Sequence, residues 1–208
     1  MSEITAITPQ IKDKRRCNVY LDGRFCCGLT LEAAMKHRLK VGMLVSEERL
    51  SEIQIESEKQ TALDKALNFI SATQKTEKEI RQYLSGKGYL SAVQESVVEK
   101  MKEYGFIDDG AYAKTFAENS IKRKGKRLIQ MELKRKGISE KEIDEATEEL
   151  CGEEETAQRL AEKYLKNKPK DLTGKQKAYR YLLSKGFDFD TAKTAVDTVC
   201  GDEGGEEF

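Results

Sequence analysis

Few side chains of this 208-residue sequence could carry out catalysis, and they are widely spaced. Its one histidine, His37, lies in a polar stretch with no cysteine or carboxylate pattern around it, so we interpret it as a surface residue. The pair Asp108-Asp109, in the segment GFIDDGAYA, resembles two catalytic carboxylates. It stands between a helix end at Gly105 and the start of a new helix, where an aspartate accepts hydrogen bonds from the first free amides. We therefore favour helix capping, and we predict no catalytic residue, no cofactor and no enzymatic activity.

The five cysteines do not indicate a disulfide framework or a zinc site, because their number is odd and none belongs to a CxxC pair. Cys26 and Cys27 are adjacent in a predicted strand, where successive side chains face opposite ways. No window approaches the roughly 18 apolar residues that span a bilayer, and the first residues lack the pattern of a signal peptide. These features predict a cytoplasmic protein with free thiols, no bound metal and no membrane partner.

The strongest chemical signal is positive charge between Glu118 and Gly137. This stretch has eight basic residues against two acids, a local net charge of +6 in a chain whose total is zero. On a helical wheel, Ile129 and Leu133 fall on the buried side, so most of the charge points outward. Charge segregated in this way indicates a surface for an anionic partner. The candidate binding residues are Lys122, Arg123, Lys124, Lys126, Arg127, Lys134, Arg135 and Lys136. The outward side of the wheel comprises Arg127, Gln130, Met131, Lys134 and Arg135.

Composition predicts that helices position these residues. Only two prolines, no tryptophan and 36% charged residues favour helical structure, except near the N-terminus. There the pair Asp22-Gly23 between two apolar-rich runs predicts a hairpin, because a type I′ turn needs positive φ at both positions. The segment before it is expected to add a third strand. Thr30 caps a predicted helix, a second short helix starts near Ser46, and a polar run at 57–61 ends this module.

The rest of the chain contains an internal repeat with a period of 49 residues. The dipeptide Lys-Gly recurs with its glycine at Gly88, Gly137 and Gly186, and apolar residues keep the same register around each glycine. Each glycine sits where a helix should end, as a left-handed residue, and the next residue can fold back onto the last turn. The matched apolar positions are Leu84, Leu133, Leu182, Tyr89, Ile138, Phe187, Val97, Ala146, Ala195, Met101, Leu150 and Val199.

Each repeat is predicted to run helix, helix, glycine turn, helix. Capping boxes beginning at Thr76, Ser91, Ser139 and Thr173 mark helix starts, and the first helix of the array starts near Thr61. The predicted fold is therefore mainly α: a curved tandem array of three three-helix repeats, preceded by a small N-terminal β-hairpin and helix module. The predicted boundaries are 1–58 for the N-terminal module, 59–107, 108–151 and 152–201 for the three repeats, and 202–208 for a disordered acidic tail.

Comparison of the repeats separates scaffold from candidate binding residues. At the registers of Arg127, Lys134 and Arg135, the third repeat has Gln176, Leu183 and Ser184. The first repeat has Lys78, Ser85 and Gly86. Folding makes the same demands on all three copies, so a basic face present only in the middle copy indicates a binding role. Leu183 stands at an outward register and indicates an apolar contact there.

These segments, in this order, resemble the RecX family, bacterial regulators of the RecA recombinase. The similarity covers nearly the whole chain. The stretches that carry it are NVYLDGRFCCGLT with KVGMLVSEE, then GFIDDGAYA, then GKRLIQMELKRKGI. The resemblance implies a non-enzymatic inhibitor that binds the RecA filament on single-stranded DNA and suppresses strand exchange, ATP hydrolysis and co-protease activity. It thereby implies a role in DNA repair, recombination and the SOS response. Only the basic middle repeat is carried over as a candidate contact surface.

Two other hypotheses stay open from the sequence. The chain could be a direct DNA-binding helical protein that uses its basic middle repeat, and weak DNA binding is also compatible with the first hypothesis. It could instead be a passive scaffold for another partner. We expect a monomer, because the predicted array has polar faces.

Overall fold

The computed structural model describes residues 1–11 and 13–201 of the chain. These residues form a mainly α fold with a small N-terminal sheet, which confirms the predicted fold class. The predicted acidic tail, 202–208, lies outside the described residues. The strands are β1 (Ser2–Pro9), β2 (Arg16–Leu21), β3 (Arg24–Thr30) and β4 (Leu44–Val45). The helices are α1 (Leu31–Lys36), α2 (Glu47–Ile70), α3 (Glu77–Gly86), α4 (Ser91–Glu103), α5 (Asp109–Ser120), α6 (Lys126–Lys136), α7 (Glu140–Glu148), α8 (Glu153–Leu165), α9 (Leu172–Ser184) and α10 (Phe189–Cys200).

The N-terminal sheet is built on the predicted hairpin of β2 and β3. Asp22 and Gly23 both have positive φ, 46° and 78°, as the predicted type I′ turn requires. The predicted third strand, β1, pairs antiparallel with β2, and the sheet order is β3-β2-β1-β4. The pairing of β4 with Ser2 and Glu3 is not predictable from the sequence, because two residues are too few to show an alternating pattern.

The polar run 57–61 lies inside a helix, so the predictions of a short second helix before it and of a new helix starting near Thr61 are wrong. Helix α2 runs through it without a break for 24 residues. Its first half packs against the sheet through Leu50 and Ile53, and its second half packs through Ala62 and Ala66 in the core of the first repeat. Within this run Glu58 is only 4% exposed and accepts a hydrogen bond from Arg16 of the sheet, which ties the middle of α2 to β2. One helix therefore serves both cores.

The three glycine turns have the predicted geometry. Gly88, Gly137 and Gly186 have φ of 83°, 91° and 89°. After each of them, the next amide donates to the carbonyl of the leucine four residues before the glycine, at 3.2, 3.2 and 3.3 Å. This is the hydrogen bond of a Schellman motif, and it satisfies a carbonyl that the helix end leaves free. The repeated Lys-Gly dipeptide thus marks a repeated helix stop.

Two of the four predicted capping boxes form, at Thr76 with Glu79 and at Ser139 with Glu142. The other two predictions are wrong. Helix α4 begins after Leu90, which has no capping side chain, and α9 begins after Asp171, whose carboxylate accepts from the Gly174 amide. At α9, Asp171 lies two residues before Thr173 and supplies the acceptor at the helix start instead.

The chain divides into two compact units, Met1–Ile107 and Asp108–Phe208. The first contains the sheet and the first repeat, with separate cores for each. The second contains the second and third repeats, each with its own buried cluster. The basic stretch therefore lies in the second unit, and the contacts between its two repeats determine how that stretch is held.

Candidate anion-binding surface

The start of α6 is held by the glycine turn of the third repeat. The Gly125 amide donates to the Lys185 carbonyl at 3.0 Å, and the Arg127 amide donates to the Gly186 carbonyl at 3.2 Å. A Cβ atom on Gly125 would lie 2.4 Å from the Gly186 backbone, so only glycine allows this approach. The carbonyls at the end of α9 thus satisfy amides at the start of α6, which its own residues leave free.

Two side chains of α8 reinforce this contact. The Glu153 carboxylate accepts a hydrogen bond from the Lys126 amide at 2.8 Å, and the Arg159 guanidinium donates to the Lys122 carbonyl. Burial raises the pKa of the Glu153 carboxyl, and the Lys126 amide opposes that rise only in part. The loop and first turn that carry the basic residues are therefore fixed to the third repeat.

Two of the eight candidate residues mainly support the fold. Lys124 pairs with Glu132 at 2.5 Å, and its ammonium lies 5.9 Å from the centre of the Phe116 ring. Lys136 lies 5.3 Å from the centre of the Tyr112 ring, which is cation–π distance. The equivalent lysines of the other repeats also lie over tyrosine rings, Lys87 over Tyr83 and Lys185 over Tyr181. The lysine of the repeated dipeptide is therefore a scaffold residue.

The outward face of α6 is less uniformly basic than the helical wheel predicts. Lys134 pairs with Glu140 of α7 at 2.7 Å, and both side chains are largely exposed. Gln130, predicted to face outward, is half-buried and donates to the Thr147 hydroxyl, so that prediction is wrong. A wheel shows one helix only, and α7 covers this edge of α6. Between the two helices lies an open groove of about 430 Å³, lined by Arg127, Gln130, Met131, Lys134, Glu140, Ile143 and Asp144.

The side chains of Lys122, Arg123 and Arg127 are the exposed cations of this stretch that pair with no described residue. Lys126 is half-buried at the start of α6, and Arg135 is exposed near its end. Cations held on an ordered backbone and left without a counter-charge are suited to bind an anionic partner. We take Lys122, Arg123 and Arg127 as the centre of the candidate surface.

The third repeat is also strongly basic, and the register comparison missed this. Between Lys163 and Lys185 the sequence has eight basic residues against one acid, Asp171, which caps α9. The comparison missed them because they fall at neighbouring registers, such as Lys175 and Lys177 on either side of Gln176. A sliding count of charge would have found them. The interpretation that positive charge belongs to the middle repeat alone is therefore wrong, and the Gly125–Gly186 contact joins the two basic stretches.

The residues considered for catalysis, Asp108 and His37, make contacts that support the fold. Asp108 accepts a hydrogen bond from the Ala111 amide at 2.8 Å, which confirms helix capping. His37 ends α1 and packs towards α2, with its side chain 17% exposed and its Nε2 atom 3.4 Å from a carboxylate oxygen of Glu56. His37 is therefore partly covered at the surface, and this packing of α1 on α2 cannot be seen in the sequence.

The cysteines are free thiols in the described part of the chain. Burial raises the pKa of the Cys27 thiol to about 12, so it stays protonated and is a poor nucleophile or metal ligand. Cys17 is also buried, and Cys151 is exposed. Residues 1–11 and 13–201 contain no cluster of three or more histidine, cysteine or acidic side chains that could hold a metal ion.

Comparison with protein families matches the hairpin module and all three repeats. The model described as Regulatory protein RecX N-terminal domain matches residues 2–46. The first, second and third three-helix domains of RecX match residues 62–101, 108–146 and 152–196. The chain belongs to the RecX family. Its three repeats are the three RecX domains, and its hairpin module is the RecX N-terminal domain.

Curated relatives support this assignment over the whole length. The Regulatory protein RecX of Clostridium tetani is 32% identical over 210 residues, covering 98% of this chain and 97% of that protein. The Regulatory protein RecX of Clostridium acetobutylicum is 35% identical over 192 residues, covering 88% and 90%. Both names describe a regulatory protein.

Solved RecX structures share the fold. One crystal structure of regulatory protein RecX is 28% identical, covers 95% of this chain and all of its own, and superposes with a TM-score of 0.65. RecX from Lactobacillus salivarius is 23% identical over 69% of this chain, with a TM-score of 0.64, and shows the fold alone. Among the described helices, none is long and apolar enough to cross a membrane.

Proposed function

We propose that this RecX chain is a non-enzymatic regulator that inhibits the RecA recombinase by binding the RecA filament on single-stranded DNA in the cytoplasm. Binding would suppress strand exchange, ATP hydrolysis and co-protease activity. The observation that carries the proposal is the set of exposed cations without counter-charges at Lys122, Arg123 and Arg127, in a chain whose relatives are named regulatory proteins.

The negative charge of the target supports this proposal. A nucleoprotein filament carries phosphates at regular spacing, and cations fixed on a folded surface gain affinity by releasing the counterions around them. The contact between Gly125 and Gly186 holds the α5–α6 loop against the third repeat, so little ordering is needed when it binds. In contrast, we assign a structural role to three further lysines, because each lies over an aromatic ring: Lys124, Lys136 and Lys185.

Direct DNA binding is the second candidate function. The observation that favours it is the second basic stretch in the third repeat, which extends the positive charge beyond what one protein contact requires. Under this alternative, binding would occur without RecA and would weaken steeply with salt, with a logarithmic slope of about −0.9 per duplex phosphate.

Charge reversal at the centre of the surface tests the proposal. Lys122→Glu, Arg123→Glu and Arg127→Glu together should raise the concentration for half-inhibition of RecA ATP hydrolysis about tenfold or more. Three contacts worth ~0.5 kcal/mol each already reach that factor. The assay measures ATP hydrolysis by RecA on single-stranded DNA at increasing concentrations of the chain.

A matched control carries the same change of charge in the N-terminal unit. Arg24→Glu, Lys40→Glu and Lys59→Glu also reverse three exposed basic residues, and they should leave inhibition unchanged. Both variants should keep the helical circular dichroism of the parent. Equal loss of inhibition in both would show that net charge alone matters and would contradict a surface at α6.

A further inference from the structure

A groove between α9 and α10 of the third repeat exposes apolar surface. Its volume is about 360 Å³, and its walls include Tyr179 and Leu183 of α9 and Phe189 and Val196 of α10. Leu183 is 38% exposed and Phe189 is 55% exposed, although both are large apolar side chains. Tyr179 and Leu183 are four residues apart on α9, and Phe189 and Val196 are seven residues apart on α10, so each pair lies on one face of its helix. The apolar contact indicated by Leu183 in the sequence therefore has a defined place.

The rim of this groove is positively charged. Three basic residues and one acid line it: Lys175, Arg180, Lys193 and Asp197. None of the four forms an ion pair with another described residue. The Tyr179 hydroxyl, in the same wall, is shielded from solvent and has no hydrogen-bond partner among the described residues. A phenol can donate to a carboxylate, and three cations around an apolar strip fit an acidic peptide with an aromatic anchor.

We propose that this groove binds the chain's own residues 202–208, with Phe208 as the anchor. That segment, DEGGEEF, has four acids and one aromatic residue, which complements three cations around an apolar strip. The proposal needs no RecA and does not rest on the proposed function.

The segment can reach the groove. It follows α10, which ends at Cys200 and itself forms one wall. From Cys200 back to Phe189 is about 16 Å along the helix axis at about 1.5 Å per residue. Seven extended residues span up to ~23 Å at ~3.3 Å each, so the aromatic residue can lie over Phe189 or Leu183. Being tethered, the segment has a high effective concentration at the groove.

Docking would cover Lys175, Arg180 and Lys193 and neutralise positive charge on the third repeat. An anionic partner that approaches α9 would have to displace the segment first. The chain would thus regulate access to one of its two basic stretches by an intramolecular contact.

The full chain can be tested with one fluorescent reporter, because the sequence has no tryptophan. In the variant Phe208→Trp, the indole should emit at shorter wavelength than free N-acetyltryptophanamide and be quenched several-fold less by acrylamide. Adding Leu183→Asp, or Arg180→Glu with Lys193→Glu, should return both values to those of a solvated indole. Adding Lys177→Glu is the control, because Lys177 is exposed on α9 but does not line the groove.

The readouts separate the possible results. Shielding that is lost in the groove variants, kept in the control and unchanged on dilution supports the proposal. An indole that is solvated from the start, or shielded equally in the groove variants, overturns it. Shielding that disappears on dilution would assign the groove to a second copy of the chain and would also overturn it. Unchanged circular dichroism checks the fold of each variant.

Discussion

The eight basic residues around α6 differ in what surrounds each side chain. Lys124 is paired with Glu132 and lies over Phe116, whereas Lys122 and Arg123 are exposed and have no described counter-charge. The sequence shows where the charge lies but not where its partners are. Glu132 is eight residues from Lys124 and is brought to it by the loop before α6, a distance that no helical spacing predicts.

The Glu153 carboxyl should make stability depend on pH. Burial raises its pKa in the folded chain, so the unfolded chain loses this proton at lower pH than the folded chain does. The folded state is therefore favoured at low pH, and that advantage is lost as pH rises from about 4 towards neutrality. Glu153→Gln keeps an oxygen for the Lys126 amide but cannot ionise. Its Tm relative to the parent should rise between pH 4 and pH 7.

The matched control for this measurement is Glu162→Gln, which removes an exposed carboxyl from the same helix, α8. Its Tm difference from the parent should stay nearly constant over the same pH range. A Glu153→Gln difference that is flat or falls with pH would contradict the description of Glu153 as a half-buried, partly compensated carboxylate.

At the scale of the elements, much of the fold could be predicted. Local sequence patterns were enough for the 49-residue period, the hairpin at Asp22-Gly23 and the three glycine turns. Each of these patterns favours one backbone conformation. Helix α2 and the start of α9 could not be predicted in the same way. In the middle of α2, Glu58 meets Arg16, which is 42 residues away in the sequence. At the start of α9, Asp171 supplies the cap where the preceding loop packs Pro169 against Gly174.

Because α6 contacts the end of α9 at Gly125, we predict that Gly125→Ala lowers the free energy of unfolding whereas Gly110→Ala does not. Gly125 has an ordinary φ of −78°, so Gly125→Ala adds no backbone strain and tests the close contact alone. Its Cβ would lie 2.4 Å from the Gly186 backbone, and we expect a loss of about 1–3 kcal/mol in the free energy of unfolding. Urea denaturation followed by circular dichroism measures this loss.

Gly110→Ala, in α5 of the same unit, is the comparison. A Cβ there would meet only ordinary contacts, the nearest at 3.5 Å, and alanine is the better helix former. The substitution should be neutral or stabilise the chain by up to ~1 kcal/mol. If Gly125→Ala were equally harmless, the Gly125–Gly186 approach would not hold α6 as described.

For the whole molecule, charge is distributed more widely than the repeat comparison implies. Comparing single registers finds the basic residues of the middle repeat and misses those of the third, because charge on a surface need not keep its register. The scaffold, by contrast, must keep it, since Leu84, Leu133 and Leu182 are all fully buried. The candidate site was therefore predicted in part. The order of helices and glycine turns in the repeats was predicted, whereas two helix starts and the continuity of α2 were not.

We propose that the chain recognises RecA on single-stranded DNA rather than DNA itself. Fluorescence anisotropy at moderate salt, with the labelled chain, can measure binding to RecA-coated single-stranded DNA, to bare single-stranded DNA and to duplex DNA. We predict that the RecA-coated strand binds at least about tenfold tighter, a difference of ~1.4 kcal/mol, and that bare DNA binds weakly without sequence preference. Equal affinity for bare and coated DNA, or sequence-specific binding to a duplex without RecA, would contradict the account.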